Sequence, residues 1–280
     1  MYSNSDIAKY YELSESQYKW IWDLSKSRSL HYGYWDAHTK NFREALLNIN
    51  KILSDKASIS EYDKVLDAGC GVGGSSIWLT STIGCAVIGI SLSKKQVDNA
   101  NNYCRDKYHE GLIHFEQQDF THTTFDDGSF DVVWAIESVC HAIDKRDFIN
   151  EAFRLLKPGG RLIMADFIKV ADLSGDNATL IKRWANGWAV DDFSTIEGFT
   201  ADLKLAGFTH IDVEDATKNI ERSARRLHRS YLPGKILAQL YNLFHPNTTG
   251  IGRKNLDTAK TQYQALKKGL WKYIILFAIK

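Results

Sequence analysis

The stretch from Val65 to Gly74, Val-Leu-Asp-Ala-Gly-Cys-Gly-Val-Gly-Gly, constrains this chain more than any other. A short apolar run, Lys64 to Leu66, predicts a buried strand, and Gly73 onward (Gly-Ser-Ser-Ile-Trp-Leu) predicts the start of a helix. The unit is therefore strand, glycine loop, helix. Gly69 and Gly71 bring no Cβ between a ligand and the backbone, and glycine tolerates the positive φ such a turn needs. Amides at the helix N-terminus point into the same crevice, at the carboxyl end of the strand. A small polar ligand belongs there.

Gly69-Cys70-Gly71-Val72-Gly73-Gly74 formally satisfies G-x-G-x-x-G, a weak signal by itself. Two features argue against a dinucleotide. Asp67 stands two residues before the first glycine, where a carboxylate repels a pyrophosphate and welcomes an ammonium. The next strand, Ala86-Val87-Ile88-Gly89-Ile90, runs into Ser91 and not into an acidic residue. A ligand with an amino-acid end fits better. An NADP-dependent oxidoreductase, with Ser91, Ser93, Lys94 and Lys95 around a 2′-phosphate, is the distant alternative. The spacing Asp67, Gly69, Gly71, Gly73 resembles the first motif of S-adenosylmethionine-dependent methyltransferases.

Composition closes several other routes. Thirty-five Lys and Arg against 34 Asp and Glu give a net charge of +1, which offers no electrostatic footprint for nucleic acid. Cys70, Cys85, Cys104 and Cys140 form no C-x-x-C pair, so neither a zinc site nor a disulfide framework is expected, and no metal is. Met1 to Lys19 is polar and Tyr-rich, and no apolar run approaches the length of a membrane span. The expectation is a soluble, cytoplasmic protein with 44% hydrophobic residues for its core, and a homo-oligomer is compatible with all of this.

Residues 1–60 are unusually aromatic and precede the first strand. Helices are predicted over Ser14–Leu24 and Asn41–Leu53, the second on the spacing of Phe42, Ala45, Leu46, Ile49 and Leu53. Aromatics make good walls for cationic or apolar ligands. Tyr10, Tyr11, Tyr18 and Tyr32 are therefore candidates for the acceptor pocket, together with Trp184 and Trp188 from the later stretch Val170–Asp192. Covering one face of the sheet is the plainer role for such residues.

After the glycine loop the pattern alternates. Strands are expected at Cys85–Ile90, Leu112–Gln118, Phe130–Ile136, Arg161–Phe167, Phe208–Glu214 and Trp271–Ile279, with helices between them. Such alternation gives right-handed crossovers and a mostly parallel sheet. The fourth strand is almost wholly apolar and so central. Leu156-Lys157-Pro158-Gly159-Gly160 reads as a tight turn into the fifth strand, and it is the most recognisable late motif of the methyltransferases. Gly89-Ile90-Ser91-Leu92-Ser93 with Gln96 is similar to the subgroup of sterol, tocopherol and cyclopropane-fatty-acid enzymes.

That resemblance implies an α/β fold: a Rossmann-like, seven-stranded, mostly parallel sheet with helices on both faces and an antiparallel last strand. It also implies S-adenosylmethionine as cofactor, with S-adenosylhomocysteine as product. Asp67, Gly69, Gly71 and Gly73 would hold the cofactor, with Ser91 and Gln96 at the ribose and Asp119 and Phe120 at the adenine. One domain is expected over 1–280: an aromatic helical lid (1–60), a cofactor-binding half (61–168), and an acceptor-side half (169–280) with a helical insert at about 217–269. The insert carries apolar helical spacing from Ile236 to Phe244 and a basic patch, Arg222, Arg225, Arg226, His228 and Arg229. That patch reads as a solvated helix face, or as a site for an acidic substrate group.

A sulfonium is already activated, so methyl transfer needs chiefly alignment in a pocket that excludes water. The remaining chemistry is removing a proton from a small-molecule acceptor or stabilising a cation on it. Glu137 and His141, four apart beyond the central strand, are the candidate acid–base pair, sharing one face if that turn is helical. The resemblance places Glu137 beside the bound ligands as well. It implies an isoprenoid, aromatic or other specialised metabolite as acceptor, with carbon slightly favoured over oxygen or nitrogen.

Overall fold

The structure, a computed structural model, describes residues 2–21, 28–105, 111–233 and 251–280; the side chains of residues 13–21, 105 and 251–256 lie outside the described set. Tyr18 and the expected helix over Ile236–Phe244 fall outside it. Seven strands form one sheet: β1 (Lys64–Ala68), β2 (Ala86–Ser91), β3 (Ile113–Gln117), β4 (Phe130–Ile136), β5 (Leu156–Lys169), β6 (Thr209–Asp215) and β7 (Trp271–Ile279). Their spatial order is β3-β2-β1-β4-β5-β7-β6. The first five pair in parallel, and β7 runs antiparallel to both β5 and β6.

Nine α-helices stand among the described residues: α1 (Asn4–Ile21), α2 (Phe42–Lys56), α3 (Gly74–Thr82), α4 (Lys94–Arg105), α5 (Lys145–Leu155), α6 (Gly175–Gly187), α7 (Ile196–Ala206), α8 (Thr217–Arg229) and α9 (Ile251–Lys267). Their ends follow from local chemistry. The Asn41 side chain accepts from the Glu44 amide at the start of α2, and Asp144 accepts from that of Arg146 at the start of α5. Gly207 ends α7 in the left-handed conformation, φ 106°.

Alternate residues of the central strands feed two cores. Val65, Val132, Trp134, Ile163 and Tyr273 pack on one face with α2, α6, α8 and α9, whereas Leu66, Val133, Ala135, Leu162 and Leu276 pack on the other with α5 and α7. Val132 to Ala135 are buried throughout, as a central parallel strand requires. Trp134→Ala alone should cost about 3–5 kcal/mol.

One expectation changes. The Leu-Lys-Pro-Gly-Gly motif is not a turn ahead of β5 but an outward excursion within it. Register passes from Phe130↔Leu156 to Val132↔Arg161, so three extra residues of β5 bulge out where proline donates no hydrogen bond. The stretch after β5, which lacks clear strand character in sequence, contains α6. Among the described residues no helix is long and apolar enough to cross a membrane.

Candidate active site

The loops after β1, β2, β3 and β4 meet at the carboxyl edge of the sheet. With residues 28–31 and one face of α1 they enclose a cleft of about 800 Å³, counted out to its open mouth. On the cofactor side, the amides of Gly69 and Cys70 both bond the carbonyl of Ile90, which ties the glycine loop to β2. Gly69 has φ 93°, and a Cβ there would lie 2.3 Å from that of Ser138, so the loops after β1 and β4 touch through this glycine. Gly71, φ 54°, is different: a Cβ there would meet nothing closer than 3.6 Å and would project into the cleft. Gly73 is the N-cap of α3 and faces Phe115, not the cleft.

Asp67 is buried on the cleft wall, and burial raises its carboxyl pKa to about 6, opposed by a 2.5 Å hydrogen bond from the Ser76 hydroxyl. At the end of β2 the Ser91 hydroxyl donates to Gln96 Oε1 (2.8 Å). This leaves the Gln96 amide nitrogen turned toward Gly71, 4.0 Å from where a Cβ would stand. Phe120 lines the cleft, but Asp119 does not. Its Oδ1 accepts from the amide and hydroxyl of Thr121, and its Oδ2 from the side chain of Asn4 at 2.5 Å.

Glu137 and His141 both line the cleft, though not as one helical face. Glu137 takes a left-handed conformation, φ 51°, and only Val139–His141 form a helical turn, of the tight 3-10 kind. The loop therefore does not carry the two side chains on one i, i+4 helical face. Each side chain has its own partners. Glu137 Oε1 accepts from the Tyr32 amide (2.7 Å) and from the Tyr273 hydroxyl (2.9 Å). Among the described residues Oε2 accepts no hydrogen bond. Glu137 is half-buried, yet the protein around its carboxyl still raises the pKa to about 8; burial is the main cause, and nearby Asp166 adds to it. His141 Nε2 pairs with the Tyr11 hydroxyl at 2.7 Å, and burial lowers the imidazole to about 4.

The expected aromatic wall is mostly elsewhere. Tyr11 lines the cleft; Tyr10 packs edge-on against it and is not on the wall. Tyr32 and Trp184 are fully buried and, with Trp188, surround Phe167 in the core. Nor does the basic patch reach the cleft: Arg222 lies over Trp35, Arg226 over Phe42, and Arg225 pairs with Glu221. Sequence reasoning missed Asp166, Lys145 and Tyr273. Asp166 accepts from the Cys140 amide, and Lys145 Nζ donates to the carbonyls of Cys140, Ala142 and Asp192, so both brace the loop bearing His141. An acid inside the apolar run Leu162–Ile168 was the available signal.

The open space beside Gly71, the amide of Gln96, the ring of Phe120 and the buried Asp67 meet in this one cleft. Among the described residues no three His, Cys, Asp or Glu side chains converge as metal ligands would.

Residues 66–164 match the family model described as a methyltransferase domain. The chain is 32% identical, over 214 residues, to the 27-O-demethylrifamycin SV methyltransferase of Amycolatopsis mediterranei (strain S699), an alignment covering 76% of this chain and 77% of that protein. It superposes on the cyclopropane synthase MmaA2 from Mycobacterium tuberculosis with a TM-score of 0.84 at 16% identity, covering 100% and 99% of the two chains. The geranyl diphosphate C-methyltransferase from Streptomyces coelicolor A3(2), whose structure holds S-adenosyl-L-homocysteine, gives 0.75 at 19% identity over 99% and 97%. At such identities the two structures share the fold. The chain belongs to the S-adenosylmethionine-dependent methyltransferases that act on small molecules, and S-adenosylmethionine is its cofactor.

Proposed function

We propose that the protein methylates a hydroxyl oxygen of a specialised metabolite. Bound S-adenosylmethionine supplies a sulfonium methyl that needs only an aligned nucleophile. What the chain contributes is a place to put the acceptor's proton. The observation that carries this reading is the Glu137 carboxyl: Oε1 is held by two donors, Oε2 faces no donor among the described residues, and the pKa is raised to about 8. With its pKa near 8 the group is mostly protonated at neutral pH, and its ionised fraction, which grows as pH rises toward 8, takes a proton from an O–H. The oxygen methylation named for the Amycolatopsis relative supports the same reading.

Carbon methylation of an alkene is the second reading, favoured by the Gly89 to Gln96 motif. A cationic intermediate wants aromatic faces around it. Among the described residues only Tyr11 and Phe120 bring rings to the cleft wall, apart from His31 and His141.

We also infer that α1, the helix of the expected N-terminal lid, closes over the cleft, while residues 28–36 stay as a fixed wall with Tyr32 buried in the core. The support is that Ile7, Ala8 and Tyr11 of α1 line the cleft, while Tyr2, Asn4 and Glu12 bond to Asp191, Asp119 and Ser93 on other elements. A trideuteromethyl-labelled cofactor tests the function. Incubated with a panel of hydroxylated natural products, the protein should place the label on oxygen, read by mass spectrometry and NMR. Label on carbon would replace the first reading with the second.

A further inference from the structure

The wall formed by residues 28–31 is not used in the scheme above. His31 is 6% exposed, and its Nδ1 lies 3.0 Å from the carbonyl oxygen of Tyr32. A carbonyl only accepts, so Nδ1 carries the proton and Nε2 is a bare lone pair. That Nε2 is buried and has no hydrogen-bond partner among the described residues. A buried acceptor left unpaired costs about 1–3 kcal/mol. Protonation gives the ring no escape, because burial lowers its pKa to about 4. Nε2 is built for a donor that the protein does not itself provide.

The position of the segment says which donor. The Arg28 carbonyl fills the place of a Cβ on Gly74, at 2.1 Å, and Leu30 Cδ1 stands 3.6 Å from the corresponding point on Gly71. The next residue after His31, Tyr32, bonds Glu137 through its amide. Residues 28–31 therefore run along the glycine loop toward Glu137, and His31 lines the same cleft as Asp67, Gly69 and Gly71. Arg28 is the one Lys or Arg among the described lining residues. Arg28 itself lays its guanidinium over the Tyr103 ring, 4.8 Å from the centroid, so the bare acceptor of His31 is what this segment offers to the ammonium of an α-amino acid.

We propose that His31 Nε2 accepts a hydrogen bond from the α-ammonium group at the methionine end of S-adenosylmethionine. The segment ahead of β1 thus reads the amino-acid end of the cofactor alongside the glycine loop. The inference rests on the cofactor and not on the oxygen acceptor, so it holds whichever atom is methylated.

Calorimetric titration tests it with two ligands: S-adenosylhomocysteine, and 5′-methylthioadenosine, which keeps the nucleoside and thioether but has no amino-acid end. His31→Phe should weaken S-adenosylhomocysteine binding about tenfold or more, the loss of one charge-assisted hydrogen bond, and change 5′-methylthioadenosine binding by less than about twofold. Equal losses for both ligands, or an unchanged affinity for S-adenosylhomocysteine, would overturn the proposal. Nitrogen-15 spectra of the wild-type protein test it without relying on a variant that folds. S-adenosylhomocysteine should shift the His31 Nε2 resonance and 5′-methylthioadenosine should not; a resonance indifferent to both overturns the proposal. A wild-type protein that binds neither ligand would remove the cofactor along with it, an outcome distinct from all the others.

Discussion

The Tyr273 hydroxyl on β7 donates to Oε1 of Glu137, just beyond β4, at 2.9 Å and across 136 residues of chain. The bond crosses the strand between them, β5, and fixes the candidate base from the far half of the sheet. It also lowers the carboxyl pKa against the larger effect of burial.

Glu137→Gln should therefore keep S-adenosylhomocysteine affinity and lower kcat by about 10²–10⁴-fold, the range for general-base removal. Tyr273→Phe deletes a donor to the charged form, so the acidic limb of the kcat profile should move to higher pH. An unmoved limb, measured once an acceptor is known, would separate Glu137 from catalysis.

Stability of the ligand-free protein should fall as pH rises from about 6.5 to 8.5. Burial raises Glu137 to about 8 and Asp67 and Asp166 to about 6, so the folded state holds protons that the unfolded chain has released. His31 and His141, lowered to about 4, act the opposite way, but only between about pH 4 and 6.5. Above that window Glu137 is left as the main contributor. Thermal melts across this range should show a declining Tm for the wild type and a flatter line for Glu137→Gln.

Two glycines of one loop should behave differently. Gly69→Ala sets its Cβ against Ser138 and should lower Tm sharply. Gly71→Ala meets open space, so only the left-handed backbone resists, at about 1–2 kcal/mol. The folded Gly71→Ala protein should nonetheless lose about tenfold or more in S-adenosylhomocysteine affinity by calorimetry. Equal affinity would mean the ligand does not approach this backbone.

The Asn4 side chain donates to Oδ2 of Asp119, the oxygen for which an adenine amine would compete. If α1 is a lid latched here, Asn4→Ala should raise amide exchange across residues 4–12 in the ligand-free protein. The same variant should leave exchange in β1 and β4 unchanged. Exchange unaltered in α1 would make that helix a fixed cover.

Much of the sheet was legible because apolar runs and glycine punctuation are local signals. β4 and β7 begin and end where their apolar runs do. The glycine loop was legible for the same reason, since its backbone demand is written in the residue types. The aromatics were not. Tyr32, Trp184 and Trp188 look like ligand walls in sequence, yet which face a ring meets depends on packing between distant elements, here around Phe167. His31 was invisible as an acceptor because its tautomer follows from one backbone carbonyl. Asp119 was placed by its spacing, but its rotamer follows from Asn4, 115 residues earlier.

Strand β7 lies between β5 and β6, and β6 pairs with no other strand among the described residues. During synthesis, β1 to β5 could assemble while β6 waits without a partner for a strand made later. The glycine loop can thus be in place on a nascent chain before Tyr273 arrives to orient Glu137. Cofactor capture and catalytic competence would then emerge at different times in the life of one molecule. A chaperone, or S-adenosylmethionine itself, would meet a binding-ready half whose unpaired strand edge still invites aggregation.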